Sequence, residues 1–96
     1  MARISVLCWQ EIPSAVEVRE GAAIAKQQLS PRFMELIDMA AMRRGLAGTD
    51  AYLGQWRKER QADRAGSADE IARTIAAELE ANFDTYRSAV IAGEET

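Results

Sequence analysis

The chain has 96 residues, with twelve Lys/Arg against fifteen Asp/Glu, no histidine and a single cysteine. That length holds one domain, residues 1–96, and a lean core: two Trp, two Tyr and two Phe, with the 48% apolar content rich in alanine. A net charge of −3 argues against a generic nucleic-acid binder, and the missing histidines exclude a Ser-His-Asp or Cys-His device and a structural zinc set within this chain.

Ile4 to Trp9 is a short apolar run with β-branched residues near its start, closed by Gln10-Glu11 and Pro13. It predicts a central strand with Ile4, Val6 and Cys8 on one face and Leu7 and Trp9 on the other. The run is too short for a signal peptide or a membrane span, and the lone Cys8 fits a reducing compartment, so the expected location is cytoplasmic. Val16 and Val18 alternate with Glu17 and Arg19, predicting a strand with one wet face, and Glu20-Gly21 suits a turn. Ala22 to Leu29 fits a further hairpin arm only loosely.

Ser30-Pro31 opens a helix, with Ser30 as cap and Pro31 at the first helical position, where its missing N–H costs nothing. Phe33, Leu36, Ile37 and Ala40 share its core stripe, and Arg43-Arg44-Gly45 forms a basic last turn with a left-handed stop. Tyr52, Gly54 and Trp56 suit a strand with an aromatic face, in competition with a short helix capped by Thr49 or Asp50. Arg57 to Gly66 reads as a charged loop. Ser67-Ala-Asp-Glu70 is a capping box, from which one long helix is expected to run to about Ala92. The predicted fold is an α+β two-layer sandwich: a small, mainly antiparallel sheet of three or four strands with two helices packed on one face. An acidic tail follows from about residue 93.

Met34, Met39 and Met42 avoid the centre of the first helix's core stripe. Either neighbouring elements wrap the helix closely enough to use its flanks, with Met42 simply exposed, or the thioethers serve a contact surface. Phe83, Tyr86 and Val90 would join them if the long last helix overhangs the sheet. The candidate partner-binding set is therefore Met34, Met39, Met42, Phe83, Tyr86 and Val90. A competing set, Tyr52, Trp56, Arg57, Lys58 and Arg60, places aromatics beside cations and would suit a small ligand or RNA.

Charge is unevenly placed: residues 1–66 hold ten Lys/Arg and eight acids, whereas residues 67–96 hold two Arg and seven acids. None of the patterns carries catalysis. Cys8 lies in an apolar strand, where burial raises a thiol pKa. Glu35 and Asp38 read as solvated helix carboxylates, and the Gly45–Asp50 turn follows a helix and lacks the spacing of a phosphate loop. No catalytic residue, metal or cofactor is expected, and the chain reads as a non-enzyme.

The stretches ISVLCWQEIPSAV, QLSPRFMELIDMAAMRRGLAGTDAYLGQW and GSADEIARTIAAELEANFD together resemble the small bacterial "virulence factor" domain family, over roughly residues 3 to 88. The family takes its name from a larger protein, the conserved virulence factor C of staphylococci, and has no agreed catalytic residues. In α-proteobacteria, stand-alone members tend to be encoded beside methylenetetrahydrofolate reductase and folate or corrinoid methyltransferases. The resemblance thus implies a non-catalytic accessory subunit of a folate-linked one-carbon enzyme. The alternatives are a ligand- or RNA-binding module and a self-associating dimer.

Overall fold

Strand β1 (Ala2–Trp9) forms where the apolar run predicts it, and its alternation divides the molecule. Ile4, Val6 and Cys8 are buried on one face, while Arg3, Ser5 and Leu7 on the other keep contact with solvent. The computed structural model describes residues 2–92, so the acidic tail from about 93 lies outside the described residues.

Strand β2 (Ile12–Glu20) pairs antiparallel with β1, setting Val16 opposite Val6, Val18 opposite Ile4, Glu17 opposite Ser5 and Ala15 opposite Leu7. The register shifts between Leu7 and Cys8, so that Ser14 is an extra residue, a bulge that leaves both Pro13 and Ser14 buried. The turn between the strands puts Gln10 at φ 52°, a left-handed conformation unusual outside glycine. It is braced by its N–H donating to the Gln55 carbonyl at 3.1 Å and by a hydrogen bond from the Arg44 guanidinium to its side chain. Gly21, at φ 57°, turns the chain into β3 (Ala23–Gln28), the ambiguous arm, which pairs antiparallel with β2.

Residues expected to form a loop make the fourth strand. β4 (Trp56–Arg64) pairs antiparallel with β1, from Trp56 opposite Trp9 to Arg64 opposite Ala2, giving the order β3-β2-β1-β4. Its sequence, WRKERQADR, has no apolar alternation because only Trp56 and Gln61 are even half-buried. A charged edge strand of this kind discourages pairing with other chains.

Helix α1 (Pro31–Arg43) buries Phe33, Leu36, Ile37, Ala40 and Ala41, the expected stripe plus one. The Ser30 side chain does not cap it. Instead Ser30 donates its backbone N–H and its hydroxyl to the Glu80 carboxylate, each at 2.7 Å, so a carboxylate from a distant helix binds the N-cap residue itself. The C-terminus closes as a Schellman motif: the Leu46 N–H donates to Ala41 O at 2.8 Å, the Gly45 N–H to Met42 O at 3.2 Å, and Gly45 sits at φ 71°. Of the two readings for Tyr52–Trp56, the helical one holds for its first part. α2 (Asp50–Gly54) is a single turn whose Tyr52 N–H donates to the Thr49 hydroxyl at 3.3 Å.

The expected single long helix is two. α3 (Ala68–Ala81) starts at Ser67, whose hydroxyl accepts the Glu70 N–H, and buries Ile71, Ala72, Ile75, Ala76 and Leu79 against β2 and β3. It ends at Asn82, and α4 (Phe83–Ala92) follows with contacts to α1 and α3. The break removes the overhang: Val90 is buried at 2% exposure rather than projecting outward. The helix-bearing layer therefore contains α1, α3 and α4 instead of two helices, and the α+β class stands.

Candidate interaction surfaces

The break after α3 positions three of the six residues that the sequence marks for a partner, Phe83, Tyr86 and Val90. Phe33 on α1 meets Phe83 edge-on, with centroids 5.1 Å apart, and Tyr86 at 6.2 Å, so α4 rests on α1 through a three-ring contact. The Arg32 guanidinium lies 4.4 Å above the Phe83 ring and also binds the Glu80 carboxylate at 3.0 Å and carbonyl at 2.7 Å. Burial pushes the Glu80 carboxyl up, but hydrogen bonds from Ser30 and Arg32 outweigh it and hold the group below its usual range.

Between α1 and α4 runs a groove of about 190 Å³ lined by Arg32, Glu35, Leu36, Met39, Phe83 and Arg87. Met39 and Phe83 are half-buried in its wall, and Met42, one turn on from Met39, is 72% exposed. Met34 is on the opposite flank, half-buried, with its sulfur accepting the Ser14 hydroxyl at 3.6 Å. Tyr86 faces the sheet; burial, then the nearby Cys8 and Glu59, raise its pKa. Of the six residues picked from sequence, Met39 and Phe83 line this groove and Met42 is exposed one turn from Met39, while Met34, Tyr86 and Val90 pack in or against the core.

The competing set is divided by β4. Alternation puts Lys58 opposite Leu7 and Arg60 opposite Ser5 on the uncovered face of the sheet, whereas Arg57 pairs opposite Cys8 and is bound to Glu59 at 2.6 Å. Tyr52 stacks on Trp9 at 5.5 Å and accepts its indole N–H at the carbonyl, and Trp56 meets Tyr52 edge-on at 6.3 Å. These rings close one end of the sheet.

Sequence reasoning missed what joins Lys58 and Arg60. Strand register brings Arg3, Arg19 and Lys26 onto the same uncovered face, around Glu17. Glu17 binds Arg19 at 2.9 Å and Lys26 and Lys58 at 3.8 Å each, and the Arg19 hydrogen bond lowers its pKa. The missing signal was β4 itself; once it is a strand, period-two alternation supplies the rest.

Chemistry on either surface is limited. Burial, together with the Glu59 charge, pushes the Cys8 thiol up to about 11 despite Arg57, so it is a thiol and not a nucleophile at neutral pH. Among the described residues no three His, Cys, Asp or Glu side chains group as metal ligands, and no helix is long and apolar enough to cross a membrane.

The molecule so described is an α+β sandwich with one helix-covered and one bare sheet face. The family model for "Virulence factor" matches residues 7–91, and the chain belongs to that family. No curated protein and no solved structure matches it.

Proposed function

We propose that this protein is a non-catalytic accessory subunit that docks on a larger enzyme through the α1–α4 side of its helix layer. The partner we infer is a folate-linked one-carbon enzyme such as methylenetetrahydrofolate reductase, the company kept by similar stand-alone chains. The observation that carries docking is Met42, an apolar side chain 72% exposed one helical turn from Met39, which lines the groove with Phe83. Burying one such side chain contributes about 1.5–3 kcal/mol, and the arginines and Glu35 around the groove supply the polar rim of an interface. A stable complex needs about 800 Å² on each side, so neighbouring surface of α1 and α4 must take part.

Co-expression with the reductase followed by size-exclusion chromatography tests this reading. Co-elution is expected, and Met42→Glu should abolish it without changing the melting temperature. Separate elution of the two proteins at micromolar concentration would reject the reading, and elution of the isolated chain at twice its mass would favour self-association instead.

A further inference from the structure

The uncovered face of the sheet has a composition that solubility alone does not require. Its side chains fall into rows across the strands: Lys26, Glu17, Ser5 and Arg60 form one row, and Gln28, Ala15, Leu7 and Lys58 the next. Ile24, Arg19 and Arg3 form a third. Five cations drawn from all four strands thus share this face with one interior carboxylate, Glu17, in a chain whose net charge is −3. Asp63 reaches Arg60 at 3.3 Å from the end of β4.

The floor between the cations is small and aliphatic. Ser5, Leu7 and Ala15 line a trough of about 200 Å³ walled by Lys26, Lys58 and the ion-paired Glu17, and a second hollow of about 270 Å³, which shares Glu17, adjoins it toward Arg3, Arg19 and Arg60. We infer that this face is a docking surface for an acidic polypeptide segment carrying an apolar anchor. The anchor enters the trough over Leu7 and Ala15, and flanking carboxylates meet Lys26, Lys58 and the arginines.

Three observations select that occupant. Glu17 already shows what the face accepts, a carboxylate held by one guanidinium and two ammonium groups. It leaves their capacity largely unused, since Arg19, Lys26 and Lys58 each remain more than half exposed, as does Arg60 beside Asp63. The scale also fits: four strands at about 4.8 Å spacing make a face about 14 Å wide between outer strands, the reach of four or five extended residues. Single-stranded nucleic acid would want exposed rings to stack on, but the rings at the edge of this face, Tyr52 and Trp56, are packed against each other.

This surface lies opposite the helix layer, so the inference does not rest on the docking proposed above. The test is fluorescence anisotropy on the isolated protein with three labelled probes: an alternating Glu/Leu peptide, an all-Glu peptide of equal length, and a short single-stranded RNA. The Glu/Leu peptide is expected to bind saturably, more tightly than the all-Glu peptide, and to weaken as salt is raised. The double variant K26E/K58E should lose at least about tenfold in affinity with only a small drop in melting temperature, because it exchanges two screened surface ion pairs with Glu17 for repulsions of similar size. Met42→Glu should leave this binding unchanged, which separates its failure from that of the helix-layer reading. Tighter binding of RNA, equal affinity for the two peptides, or full affinity in K26E/K58E would overturn the inference.

Discussion

The two faces of the sheet are cut from the same strands and differ in almost every physical respect. On the covered face, Ile4, Val6, Val16 and Val18 interlock with Phe33, Ile37, Ile71 and Ile75, all nearly sealed from water. On the bare face, the intervening residues Arg3, Ser5, Leu7, Glu17 and Arg19 keep contact with solvent. Burial of apolar area holds the fold together on the first face. Hydrated ion pairs on the second contribute little to stability and are free to be exchanged for a partner's charges. One face is therefore predicted to govern folding and the other recognition, and substitutions should separate cleanly between them.

The largest effect is expected at Phe33, fully buried and the seat for both Phe83 and Tyr86. Phe33→Ala should cost about 4 kcal/mol in urea unfolding, since it opens a cavity and unseats α4. A loss under about 1.5 kcal/mol would mean that α4 is held by something else. Next is Glu80, which ties the start of α1 to the end of α3 through Ser30 and Arg32. Glu80→Ala leaves the Ser30 N–H without its acceptor and should cost about 2 kcal/mol.

The carboxylates give the same comparison a pH axis. Glu11, Glu17 and Glu80 are all held below the usual 4.5. For Glu11, burial pushes upward but hydrogen bonding and charge from Arg44 prevail, with Arg57 assisting. A lowered folded pKa contributes stability that is present above the unfolded value and lost as pH falls through the folded one. The urea midpoint should therefore decline as pH drops below about 4.5, less steeply in Glu80→Gln. Cys8 acts at the other end: its raised pKa favours the neutral thiol, so stability is full below 9.0 and is lost as pH rises toward 11. Cys8→Ala should remove part of that alkaline loss.

Legibility followed the same division. Where one face of an element is buried, periodicity was enough: β1, β2 and the α1 stripe were all readable, as was the Ser67 cap before α3. β4 was not, because an edge strand flanked by solvent on both faces has no hydrophobic period. Its conformation comes from pairing with β1, a contact that no local pattern records. The interruption at Asn82 was hidden for the opposite reason. Ile71, Ile75, Leu79, Phe83, Tyr86 and Val90 keep a helical spacing straight through it, so the amphipathic pattern alone could not reveal a break. The missed strand concealed the basic face, and the missed break made Val90 look like an exposed residue.

Glu17 supplies the smallest and most discriminating test. It sits at the centre of the bare face, 17% exposed, and accepts Arg19, Lys26 and Lys58, which makes it resemble a structural keystone. Its partners remain hydrated, however, and such surface pairs are worth about 0–1 kcal/mol because solvent and salt screen them. Glu17→Gln removes the charge while keeping the shape. It should shift stability by less than about 1 kcal/mol and, by releasing three cations, tighten the acidic peptide by about two- to fivefold. A loss of more than about 2 kcal/mol would show that the carboxylate is needed to stop those cations repelling one another. The bare face would then be working for the fold, and its separation from the covered face would fail at the residue where it is most exposed to challenge.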